Sequence, residues 1–72
     1  MKVLCTVENY GKVMMFDTCA VKLILVESEE EDEAVLWVDN DRVKRGSKAE
    51  IRKVFENIVD AEKRRDVLID IR

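Results

Sequence analysis

SKAEIRKVFENIVDAEKRR, residues 47–65, is the one stretch of this 72-residue chain that reads as a helix, and the apolar segments around it read as strands that must pack on something. Ile51, Val54, Phe55, Ile58 and Val59 recur at i, i+3, i+4, i+7 and i+8, a single stripe at helical period. Ser47 followed by Glu50 is a capping-box pattern, in which the hydroxyl accepts from an orphan first-turn amide and the carboxylate reaches back. Gly46 is a natural place for the chain to turn just before it. Lys63, Arg64 and Arg65 put positive charge where the helix dipole favours it, and Arg52, Lys53, Glu56, Asp60 and Lys63 fill the polar face.

The segments before the helix read differently. Lys2 to Glu8 alternates, with Val3, Cys5 and Val7 on one side. Asn9-Tyr10-Gly11 reads as a short hairpin loop, with Gly11 suited to positive φ. Residues 12–27 hold two largely apolar runs interrupted at Asp17-Thr18, either one long bent strand or two strands joined there, and the lack of glycine or proline slightly favours the bend or bulge. Ser28 to Glu33, SEEEDE, reads as a solvated hairpin tip, and Ala34 to Val38 as the next strand, ended by Asp39-Asn40-Asp41. Residues 42–46, RVKRG, read as a loop leading into the helix, and residues 66–72 alternate once more. We therefore expect one α+β domain over residues 1–72. It has an antiparallel-rich sheet of four to five strands with one amphipathic helix on one face, in the order β-β-(β)-β-α-β.

The middle strands are apolar on both faces, and such runs read as strands covered on both sides. One helix stripe covers one face. The other must be covered by curling of the sheet, by a second copy, or by a partner. A chain this short buries only about 60% of its unfolded surface, which favours self-association as a homodimer. Met14, Phe16, Leu36 and Trp37 are the expected contact residues, on the sheet face opposite the helix.

Composition removes several classes of chemistry. With no histidine, Ser/His and Cys/His nucleophile systems are impossible, and we expect no enzyme, cofactor or small-molecule substrate. Cys5 and Cys19 do not make a disulfide framework and read as buried free thiols of a cytoplasmic protein. The N-terminus is too short in its apolar part for a signal peptide, and no stretch reaches the length of a membrane span. Asp39, Asp41 and Glu50 fall at positions 1, 3 and 12 of a calcium loop. Val43 and Lys44 occupy positions that need a ligand and a glycine, so that reading fails. Gly46-Ser47-Lys48 lacks the spacing of a phosphate-binding loop.

Charge is the remaining signal. Residues 1–33 hold three basic and eight acidic residues, net −5, and residues 34–72 hold ten and eight, net +2. Arg42, Lys44, Arg45, Ser47, Lys48 and Arg52 surround the helix N-terminus, where free amides and the dipole attract anions. They are the candidate nucleic-acid or anion-binding residues, against the ordinary alternative of a solvated face. No aromatic residues interleave with them in sequence. The acidic residues 27–33 are a further candidate, as a nucleic-acid mimic that docks a basic protein. The leading expectation is a small non-enzymatic regulatory or inhibitory module working by protein–protein contact. A nucleic-acid-binding regulator using residues 42–53 is the runner-up.

Overall fold

The computed structural model describes residues 1–72 as six strands and one helix, in the order β1 (Lys2–Thr6), β2 (Val13–Asp17), β3 (Leu23–Glu27), β4 (Ala34–Val38), β5 (Asp41–Gly46), α1 (Lys48–Lys63) and β6 (Leu68–Asp70). The α+β class is as expected, but the single sheet of four to five strands is not. The strands form two three-stranded sheets, β2-β1-β6 and β3-β4-β5. Pairing is antiparallel except for β1 with β6, which run parallel.

Residues 12–27 are two strands, not one bent strand, and they belong to different sheets. The turn between them needs neither glycine nor proline, because Asp17 builds it. Its Oδ1 accepts from the Cys19 amide at 3.0 Å and its carbonyl from the Ala20 amide at 2.9 Å. The Cys19 amide is also the main reason the Asp17 carboxyl is held below the usual carboxylate range.

Residues 42–46 are strand, not loop. β4 turns into β5 through Asp39 and Asn40, with Asp39 at φ 54°, a conformation that aspartate tolerates better than most residues. The pairing then skips one residue: Leu36 faces Lys44 and Trp37 faces Arg42, so Val43 is the extra residue of a bulge. Val43 is buried. The bulge also places Arg42 and Arg45, three apart in sequence, opposite Trp37 and Val35 on the same side of the sheet. Strict alternation would have put them on opposite sides.

The helix keeps its expected start. The Ser47 hydroxyl accepts from the Glu50 amide at 3.1 Å. The Glu50 carboxylate folds back over Gly46, where an added Cβ would lie 2.6 Å from Oε2, so glycine leaves room for it. At the other end Arg65 adopts φ 59°, the Arg65 amide donates to Glu62 and the Asp66 amide to Ala61, a Schellman stop built without glycine.

One core joins both sheets and the helix. Val3, Cys5, Val7 and Phe16 of the first sheet and its loop meet Ala34, Leu36, Val38 and Val43 of the second, with Ile51 and Ile58 of α1. The second sheet therefore covers the inner face of the first, and α1 packs chiefly on β3-β4-β5. Phe16 and Leu36, expected at an interface, are core residues here, and Met14 packs against that core. Cys5 is buried as expected and its thiol is pushed up by burial, against the nearby Lys44 charge, but Cys19 is exposed. No helix is long and apolar enough to cross a membrane.

Candidate functional site

The second sheet turns an apolar face away from its core side. Cross-strand register sets Ile24 opposite Trp37 and Val26 opposite Val35, and continues to Arg42 beside Trp37 and Arg45 beside Val35. Ile24, Val35 and Trp37 are half-buried and Val26 is 49% exposed. Trp37 alone of the four expected contact residues lies on this face; its strand neighbour Leu36 points the other way. The first sheet has an outer face too, with Leu4 opposite Met15 and Thr6 opposite Val13; Val13 and Met15 are exposed.

The six basic-cluster candidates do not form one patch. Arg42 and Arg45 lie on the outer face of the second sheet. Lys44 lies opposite Leu36, half-buried, with its charge felt by the Cys5 thiol. Ser47, Lys48 and Arg52 belong to the first turns of α1, and the Ser47 hydroxyl is committed to capping.

Carboxylates of the same chain already hold most of these cations. Glu8, just past β1, reaches Arg42 Nε at 3.6 Å and Arg45 Nε at 3.3 Å. Glu33 reaches Arg45 Nε at 3.4 Å. Arg52 grips Glu27 with Nε and Nη2 on the two carboxylate oxygens, the Nη2 bond at 2.6 Å. That fork is bidentate, the stronger form of an arginine–carboxylate contact. Asp32 Oδ1 accepts from the Lys48 backbone amide at 3.1 Å, filling the helix N-terminus. The acidic tip is a hairpin tip with Glu29 to Asp32 exposed, as its sequence implies, but it is held in place by hydrogen bonds. Ser28 orders it locally: its hydroxyl accepts from the Glu30 and Glu31 amides, and its amide donates to Glu33.

Sequence reading missed Glu8, Glu27, Asp32 and Glu33 as partners of the basic residues. The alternation of β1 gives Glu8 an outward position but not a partner, and only the β3-β4-β5 meander brings residues 27–33 to the start of α1. Glu8 Oε2 is buried without a hydrogen bond, since Arg42 stands slightly too far for one.

The Arg52 hydrogen bond lowers the Glu27 pKa, and Glu27 raises that of Arg52. A carboxylate with a folded pKa below its unfolded value adds stability that is present above the unfolded value and lost as pH falls through the folded one. The stability gap between the native chain and Glu27→Gln should therefore be widest near neutral pH. It should close as pH drops below about 4.3 toward the depressed value, read by urea unfolding across that range. A gap constant with pH would show that the pair does not form in solution. No group of three His, Cys, Asp or Glu side chains is arranged to hold a metal ion.

In comparisons with known proteins, no family model matches the chain, nor does any curated protein or solved structure.

Proposed function

We propose that the protein is a small non-enzymatic regulatory or inhibitory binding module of the cytoplasm, acting by protein–protein contact through the outer face of β3-β4-β5, with a second copy as the first partner to test. The observation that carries this reading is the register of that sheet. It lines up Ile24, Val26, Val35 and Trp37 on the side away from the core and flanks them with Arg42 and Arg45. Tryptophan and arginine are the residue types most enriched at binding hot spots. β3 is also an edge strand, with an exposed valine and no proline to blunt pairing.

Light scattering at low to high micromolar concentration should give a mass above 8.4 kDa for the native chain. Val26→Lys should return it to the monomer with unchanged circular dichroism. A monomeric native chain throughout the range would remove the homodimer and leave only a foreign partner.

A second reading, binding of single-stranded nucleic acid, draws on the same face. The missing aromatic interleaving of the sequence appears in the fold, where Trp37 stands directly across from Arg42, with Arg45 on the same side. Stacking on an aromatic beside guanidinium groups that reach phosphates is the usual means of holding a single strand. In the conformation described here those guanidinium groups face carboxylates.

A further inference from the structure

We propose that the acidic hairpin tip is an autoinhibitory latch, an internal polyanion that closes the basic strand and the helix start to outside anionic chains. The inference rests on the second reading above, extends its site from Arg45 near the end of β5 to the adjoining helix start, and adds its regulation.

Three contacts from the β3-β4 hairpin carry it, one from the last residue of β3 and two from the tip itself. Glu27 forks onto Arg52, Asp32 fills the Lys48 amide, and Glu33 holds Arg45. They span both charged segments: the acceptors lie in the stretch of net charge −5 and the donors in the stretch of net charge +2. Like charges packed into residues 29–33 repel one another, and two of the five find partners, Glu33 at Arg45 and Asp32 at the Lys48 amide. The tip and a nucleic-acid backbone are chemically similar ligands for these groups, each a row of closely spaced negative oxygens. Both cannot occupy Arg45, Arg52 and the Lys48 amide together.

The latch is built to open. The Arg45 side chain is 54% exposed and that of Arg52 57% exposed, so each pair is solvated and salt-sensitive. No apolar side chain lines the cleft between the tip and β5; its walls are Glu31, Asp32, Glu33, Arg45 and Gly46. Release concerns Asp32 and Glu33; Glu27 is paired with Ala34 and keeps its place in β3. Glu8 continues to face Arg42 and Arg45 after release, so opening is graded and not complete.

The test compares three proteins with a fluorescein-labelled 20-nucleotide oligo(U) RNA at low salt. One is the native chain. One carries Glu27→Gln, Asp32→Asn and Glu33→Gln. The third carries Glu56→Gln, Asp60→Asn and Glu62→Gln on the exposed helix face, which changes net charge equally. The hairpin variant should bind at least about fivefold tighter than the helix-face variant, the lower end of ordinary coupling between competing contacts. Adding Arg45→Gln and Arg52→Gln should erase that gain, and exchange of the Lys48 amide should quicken in the hairpin variant. Equal gain in both variants would mean net charge alone acts and would overturn the latch. So would a native chain that binds as tightly as the hairpin variant, an outcome that leaves the nucleic-acid reading standing. Binding by none of the proteins would remove that reading and the latch with it. An unchanged Lys48 exchange rate would show that the Asp32 contact does not hold in solution.

Discussion

Leu36→Ala should cost about 2–5 kcal/mol of folding stability, the range for a buried leucine whose neighbours cannot collapse into the space. Leu36 is fully buried and shares its core with side chains from both sheets and from α1. Truncation leaves a hole bordered on several sides, and each side is anchored by its own strand pairing or helix. Only 11 of the 72 residues are buried, so little packing remains to absorb the loss. A chain of this length has roughly 4–11 kcal/mol in total. The variant should therefore be partly unfolded at 37 °C, with a urea midpoint lower by about 2–5 M for a slope near 1 kcal/mol/M. Circular dichroism across a urea titration reads this directly. A loss below about 1 kcal/mol would mean that the two sheets do not close on each other as described.

Trp37→Asp, one residue along the same strand, should do the opposite. Its side chain lies on the outer face beside Arg42 and is half-buried. The fold should persist, because no residue of the joint core loses a neighbour there. Self-association should weaken by about 30-fold or more, the effect of losing a hot-spot residue worth about 2 kcal/mol. Sedimentation equilibrium of the two proteins measures it. Association unchanged by the substitution would move the interface elsewhere, first to the outer face carrying Val13 and Met15. The contrast between neighbours is the sharper test, because on β4 buried and half-buried residues alternate.

Much of the fold was legible because its signals are local. Ile51 and Ile58 sit on one stripe, Ser47 caps, and Gly11 does adopt a positive φ of 62° in its hairpin. What escaped is set by contacts distant in sequence. RVKRG has one apolar side chain among charges and carries no strand pattern; it becomes β5 by pairing with β4, an override of local preference by tertiary context. Asp17 makes a turn with its side chain where glycine or proline was the signal sought. The double-sided apolar runs are half accounted for: the two sheets and α1 bury one face of each run, while Val13 and Met15 of β2 and Val26 of β3 stay exposed on the other. The candidate site was half legible. The basic residues were visible as a cluster in sequence, yet the bulge at Val43 sorts Arg42 and Arg45 away from Lys44. Their carboxylate partners stand 16 and 25 positions away in the two helix-start contacts, beyond any periodic pattern.

The parallel pairing of β6 with β1 has a consequence for synthesis. Lys2, Val3 and Leu4 find their neighbours at Leu68, Ile69 and Asp70, so of these six strands the earliest made gains its second neighbour only from the latest. While the intervening residues are made, β1 has β2 on one side and a bare row of amides and carbonyls on the other. A nascent chain in that condition is open to mispairing with its neighbours on the same message. The three residues of β6 end that exposure by pairing along Lys2, Val3 and Leu4.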